Sequence, residues 1–91
     1  MAYACCTGFQ WNENKRRTNL LKHRVDFADA IGVFYDDHAI TIIDVDHHRE
    51  QRIITLGMDF RQQTLVVVNV QIKVDTIRLI SARKANRQER K

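Results

Sequence analysis

The sequence contains no proline, and its only two cysteines, Cys5 and Cys6, are neighbours. Bridging adjacent cysteines demands a strained ring, so the pair reads as free thiols and a secreted-type disulfide framework is excluded. No repeat, low-complexity run or linker divides the 91 residues. That length suits one domain with one modest core, spanning 1–91, with 1–8 expected as a loosely ordered N-terminal extension. No apolar run approaches the roughly 18–20 residues that cross a bilayer. The opening MAYACCTG has no basic start and no apolar core long enough for a signal peptide, so a cytoplasmic protein with no membrane partner is expected. Aromatic residues are few (four Phe, two Tyr and one Trp) and most fall in core stripes. A strand-based RNA reader usually exposes such rings for base stacking, and little is left over for that role.

One sign of charge is missing from the middle of the chain. Residues 25–48 hold six Asp and no Lys or Arg. Residues 12–24 hold five Lys or Arg against Glu13, and residues 83–91 hold five against Glu89. Basic ends around an acidic centre point to a polyanion at one surface and a second partner elsewhere.

The periodicities define an α+β order. FQW at 9–11 reads as a short edge strand, and Asn12 as the N-cap of a polar helix running to about His23. Lys15, Asn19, Lys22 and His23 share one face of that helix. From Asp26 a second helix places Phe27, Ala30, Ile31 and Phe34 on one core stripe. Four strands come next, at 39–44, 52–58, 64–72 and 75–82, rich in Val, Ile and Thr and joined by short links that favour antiparallel neighbours. The expected order is β-α-α-β-β-β-β with a short closing helix in SARKANRQER, and the helices group on one face of an antiparallel sheet. In the third of these strands Val66, Val68, Val70 and Ile72 form an apolar face for the helices to cover. Leu65 and Val67 point the other way and give out into Asn69 and Gln71, leaving a partly open groove. Glu50 and Arg52 share a side if their strand starts early enough, and Arg78 lies on the strand after the central one. DVDHHRE at 44–50 has metal-binding residue types, but no further ligand cluster supports it, so no metal or other cofactor is expected.

FQWNENKRRTNLLKHRVDFADAIGVFYDD, then EQRIITLG, LVVVNV and IRLISARKANRQER, in order, resemble the BrnT family of bacterial ribonuclease toxins from type II toxin–antitoxin pairs. The resemblance covers nearly all of 9–91. It implies a RelE-like fold, cleavage of RNA, and neutralisation by a BrnA-type antitoxin with a ribbon-helix-helix DNA-binding region, so that operator DNA is met only through the complex. It singles out Lys15, Asn19, Lys22 and His23 on the first helix, Glu50 and Arg52 on a middle strand, and Arg78, Ser81, Arg83 and Glu89 near the C-terminus. Three positions depart from the family pattern. Asn12 stands where Asp is usual, Arg24 where Gly is usual, and Asn69 where relatives often carry an imidazole or aromatic ring.

Metal-free RNA cleavage needs a base for the 2′-hydroxyl, cations for the charge developing on phosphorus, and an acid for the leaving 5′-oxygen. Arg78 and Arg83 are expected to clamp the phosphate, since planar guanidinium matches its oxygens two at a time. Strand alternation alone would face them opposite ways, so they meet only if the chain turns near Ser81. His23 is the natural general acid or base. Glu50 acts as base or holds Arg52. Lys15, Asn19, Lys22, Lys84 and Arg87 are expected to bind RNA. The alternative reading is a non-catalytic nucleic-acid-binding protein, or an inactive toxin relative acting only within a repressor complex, because charge alone gives affinity without cleavage.

Overall fold

The computed structural model describes residues 3–6, 8–44 and 52–87. The chain opens with β1 (Tyr3–Cys6) and β2 (Phe9–Asn12), an antiparallel pair in register from Tyr3↔Asn12 to Cys6↔Phe9. The turn between them uses Gly8 at φ 80, where a Cβ would stand 3.1 Å from the Asp75 carbonyl oxygen. Residues 3–6 are therefore part of the sheet rather than a loose extension, and β2 is not an edge strand.

Asn12 starts α1 (Glu13–His23) as expected, its side-chain oxygen accepting from the backbone N–H groups of Asn14 and Lys15. The helix stops at Arg24, which takes the left-handed conformation at φ 61 and donates its N–H to the Leu20 carbonyl at 2.9 Å. Arg16 ties the start of this helix to the cap of the next. Its Nε donates to both oxygens of Glu13 at 2.8 Å and its Nη1 to Asp26 Oδ2 at 3.2 Å. The hydrogen bond from Arg16 holds the Glu13 carboxyl below its ordinary range. Asp26 in turn caps α2 (Phe27–Ala30) through the Ala28 N–H.

A single long second helix is not formed. α2 lasts one turn and tightens into a 3₁₀ helix at Ile31–Tyr35. Gly32 and the β-branched Ile31 and Val33 are weak α-formers. Gly32 also lets the 59–60 backbone approach so closely that a Cβ would lie 2.5 Å from the Phe60 nitrogen. The expected stripe survives in part: Phe27, Ala30 and Ile31 are core, with Phe34 packed partly buried against it.

The remaining strands are β3 (Ile40–Asp44), β4 (Arg52–Met58), β5 (Thr64–Lys73) and β6 (Thr76–Lys84), in a six-stranded sheet of order β1-β2-β6-β5-β4-β3. All neighbours are antiparallel except β2 and β6, which run parallel over Phe9↔Ile77 to Trp11↔Leu79, so the sheet is mixed. The closing helix is absent from the described residues. Ser81 to Lys84 extend β6 instead, because Leu65 to Val68 of the central strand need a partner there and Ala82 is buried by it.

The core lies on the opposite side of β5 from the one expected. Leu65 and Val67, fully buried, pack with Phe27, Val33, Leu79 and Ala82 under the helices. Val66, Val68 and Val70 face away. Alternation misleads here because Asn69 reads as an outward polar residue. In fact it is 2% exposed and satisfied inside, donating to Thr55 Oγ1 and the Val67 carbonyl. Among the described residues no helix is long and apolar enough to cross a membrane.

Candidate functional site

The face of the sheet away from the helices carries the arginines, and a β-bulge puts them there. Along β6 the pairing runs Arg78↔Val70, Leu79↔Asn69, then Ser81↔Val68 and Arg83↔Val66. Ile80 is the extra residue opposite the Val68–Asn69 step. Directly paired residues share a face, so Arg78, Ser81 and Arg83 all lie on the side of Val66, Val68 and Val70. Without the extra residue, Arg78 and Arg83 would sit on opposite faces. Convergence thus comes from a bulge within the strand and not from a helical turn after it. Arg52 pairs with Val70 from the other flank, two strand spacings or roughly 10 Å from Arg78 on the same face. Gln10 pairs with Arg78 on β2, and its Oε1 accepts from Arg78 Nε and Nη2 at 3.3 and 3.2 Å.

Beside Ser81 lies a groove of about 350 Å³ between α1 and β6, lined by Asn14, Lys15, Thr18, Asn19, Lys22, His23, Ile80 and Ser81. β2 ends at Asn12, so beyond Leu79 the outer edge of β6 is taken over by the helix. Asn19 makes that junction. Its Nδ2 donates to the Ala82 carbonyl at 2.8 Å and the Val25 carbonyl at 3.0 Å, and its Oδ1 accepts the Ala82 N–H at 3.1 Å. The amide therefore stands in for a neighbouring strand and braces α1 on the sheet. Asn19 is 6% exposed with both sides of its amide engaged, the arrangement of a brace between helix and strand. Lys15 and Lys22 are exposed on the groove wall, with His23 half-buried at the helix end.

Ser81 is where the two sets meet: Lys15, Lys22 and His23 across the groove, Arg78 and Arg83 along the strand. Lys84 and Arg87 are elsewhere. They line a second hollow of about 360 Å³ with Gln62, Gln63, Thr64, Ala85 and Asn86, at the end of β6. Glu50 and Glu89 lie outside the described residues, as does 45–50 of the DVDHHRE segment. Position 69 faces the core, so its side chain does not reach the arginine face, whatever relatives carry there. Sequence reasoning missed Asn14 and Thr18, whose helical spacing from Lys15, Lys22 and His23 was a usable signal. It also missed Gln10, which the alternation Phe9-Gln10-Trp11 sets on the open face. A phosphodiester seated beside Ser81 would meet cations from helix and sheet together with one imidazole.

A family model described as the ribonuclease toxin BrnT of type II toxin–antitoxin systems matches residues 11–89. Among solved structures, the crystal structure of the Brucella abortus ribonuclease toxin BrnT is similar, with a TM-score of 0.62 and 24% identity over 85% of this chain and 94% of that one. At that identity the likeness carries the fold. No curated protein matches the chain.

Proposed function

The chain belongs to the BrnT family of ribonuclease toxins of type II toxin–antitoxin systems, and we propose that it is a metal-independent endoribonuclease working through the RNA's own 2′-hydroxyl. The observation that carries this reading is the bulge at Ile80, which sets Arg78, Ser81 and Arg83 on one face beside a groove lined by Lys15, Lys22 and His23. Two guanidiniums flanking Ser81 suit the non-bridging oxygens of the scissile phosphate, where negative charge grows as the 2′-oxygen attacks phosphorus. His23 exchanges protons, as base toward the 2′-hydroxyl or as acid toward the leaving 5′-oxygen. Lys15 and Lys22 hold the strand in the groove. Arg52 faces the site across Val70, and Glu50, just before it in sequence, serves as the second proton-transfer group or as the partner of Arg52. Lys84 and Arg87 hold a further stretch of RNA at the end of β6. The products are a 2′,3′-cyclic phosphate and a 5′-hydroxyl.

In the cytoplasm the activity is held in check by a BrnA-type ribbon-helix-helix antitoxin, through which alone the toxin meets operator DNA. The fold reading that goes with this function is RelE-like. Tightly controlled expression tests the whole. The chain alone should arrest growth with loss of RNA, and co-expression of the neighbouring reading frame or the Arg78→Ala substitution should relieve the arrest. Harmless expression of the folded wild-type chain contradicts the reading.

A further inference from the structure

The far edge of the sheet has the opposite character to the groove. Among the described residues, nine large apolar side chains are exposed; Ile40, Ile42 and Ile43 lie on β3, and Tyr35, Met58 and Phe60 lie on the 3₁₀ helix before it, on β4 and on the turn after β4. Ile40 and Ile42, 54% and 58% exposed, share one face, and Ile43, 52% exposed, sits on the other. β3 is the last strand of the sheet, in unbroken register with β4 from Ile40↔Leu56 to Asp44↔Arg52. Natural sheets blunt an exposed edge with lysine, proline or a bulge. β3 has none of these, and among the described residues no strand pairs with its outer edge, so it offers a backbone ladder with aliphatic side chains on both faces. That is the requirement for adding a strand, with main-chain hydrogen bonds for affinity and alternate side chains for specificity.

The surround is built rather than loose. Tyr35 and Phe60 stack at 6.0 Å in spite of their exposure. Phe60 is carried on a turn held by Asp59, whose Oδ1 accepts the Arg61 and Gln63 N–H groups at 2.9 and 2.8 Å. Asp36 joins the start of β3 to β4, accepting the His38 N–H at 3.0 Å and the Met58 N–H at 2.8 Å. Rigid aromatic and methionine side chains held at a surface are the usual anchors of a protein contact.

Charge identifies the occupant. β3 follows Asp36 and Asp37, ends at Asp44, and carries no Lys or Arg of its own. An RNA backbone is repelled there, and a second copy of the chain would set one acidic edge against another. We propose that the outer edge of β3 receives an extended segment of the antitoxin, alternating in aliphatic residues and flanked by Lys or Arg, which joins the sheet as a further strand. This rests on the toxin reading above, since it supposes a protein antitoxin. β3 stands three strand spacings, roughly 14 Å, from β6. The antitoxin is thus gripped at one edge of the sheet and occludes the basic groove with another part of its chain.

Ile40→Lys and Ile42→Lys test the edge without touching the groove. The purified chain is titrated calorimetrically with the protein encoded by the neighbouring reading frame, and RNA cleavage and the melting temperature are followed alongside. Each substitution should weaken antitoxin binding at least about tenfold, as for an interface anchor, and leave cleavage and melting unchanged. Wild-type affinity in both variants overturns the proposal. So does a slower cleavage rate, which would give the edge to RNA, or a dimer of the chain alone that Ile42→Lys dissolves, which would give it to a second copy. A wild-type chain that cuts no RNA, yet loses antitoxin binding on these substitutions, sinks the ribonuclease reading and leaves the docking edge standing.

Discussion

Arg78 and Arg83 lie five residues apart on one strand and face the same way, because Ile80 is inserted between them without a partner of its own. The second relationship on this face is that of Arg78 with Gln10, whose side-chain oxygen receives two guanidinium N–H groups. Gln10→Ala should therefore slow RNA cleavage by about tenfold, the scale of one hydrogen bond to a charged group. Folding should be unaffected, and in the Gln10→Ala background Arg78→Ala should add about tenfold less than it does alone, since Gln10 acts through Arg78. Single-turnover kinetics on an RNA oligonucleotide measure both.

Arg24 holds a left-handed conformation at the end of α1, where a Cβ is penalised. Arg24→Gly removes that cost and should stabilise the protein by about 1 kcal/mol, seen as a higher urea midpoint with unchanged slope. A destabilised variant would mean that the arginine side chain contributes more than the backbone loses.

Asn19 occupies both backbone groups of Ala82 and reaches the Val25 carbonyl as well. Asn19→Leu keeps the branching at Cγ but orphans buried polar groups, at about 1–3 kcal/mol each. The expected result is a lower melting temperature and faster amide exchange at Ala82. Asn19→Asp should do less harm at the Ala82 N–H than at the two carbonyls, which lose their donor. Unchanged stability in Asn19→Leu would contradict the role as brace.

Asp36 accepts backbone N–H bonds from His38 and Met58, and these hold its carboxyl below the ordinary value of 3.8. A carboxyl depressed in the folded state contributes stability that is complete above its unfolded pKa and is lost as pH falls through the folded one. The wild-type melting temperature should thus fall as pH drops below about 4, and Asp36→Asn should flatten that part of the profile. The effect should persist in high salt, since hydrogen bonds rather than distant charges cause it.

Much of this was legible in the residues. Asn12 as N-cap, the extent of α1, the four later strands and the shared face of Lys15, Lys22 and His23 are all set by local rules of capping and periodicity. What escaped depended on partners distant in sequence. Nothing in TIRLISARK marks Ile80 as a bulge, because the extra residue exists only relative to β5. Tyr3–Cys6 becomes a strand only because β2 is there to pair with it. Asn69 looks like a surface residue until Thr55 is brought opposite it inside the core. The two apolar faces of β5 could not be ranked from alternation, since both carry valines and the choice was made by where Phe27 and Val33 dock.

Separate cations are proposed to act on one phosphate at the bulge, and the rate of RNA cleavage in EDTA tests this most directly. The wild-type chain should cut a single-stranded RNA to leave 2′,3′-cyclic phosphate ends. Arg78→Ala and Arg83→Ala should each lower the rate by about 10²-fold or more, the scale of losing preorganised charge stabilisation. Cleavage at the wild-type rate by both folded arginine variants would contradict the account, as would activity that disappears with chelation.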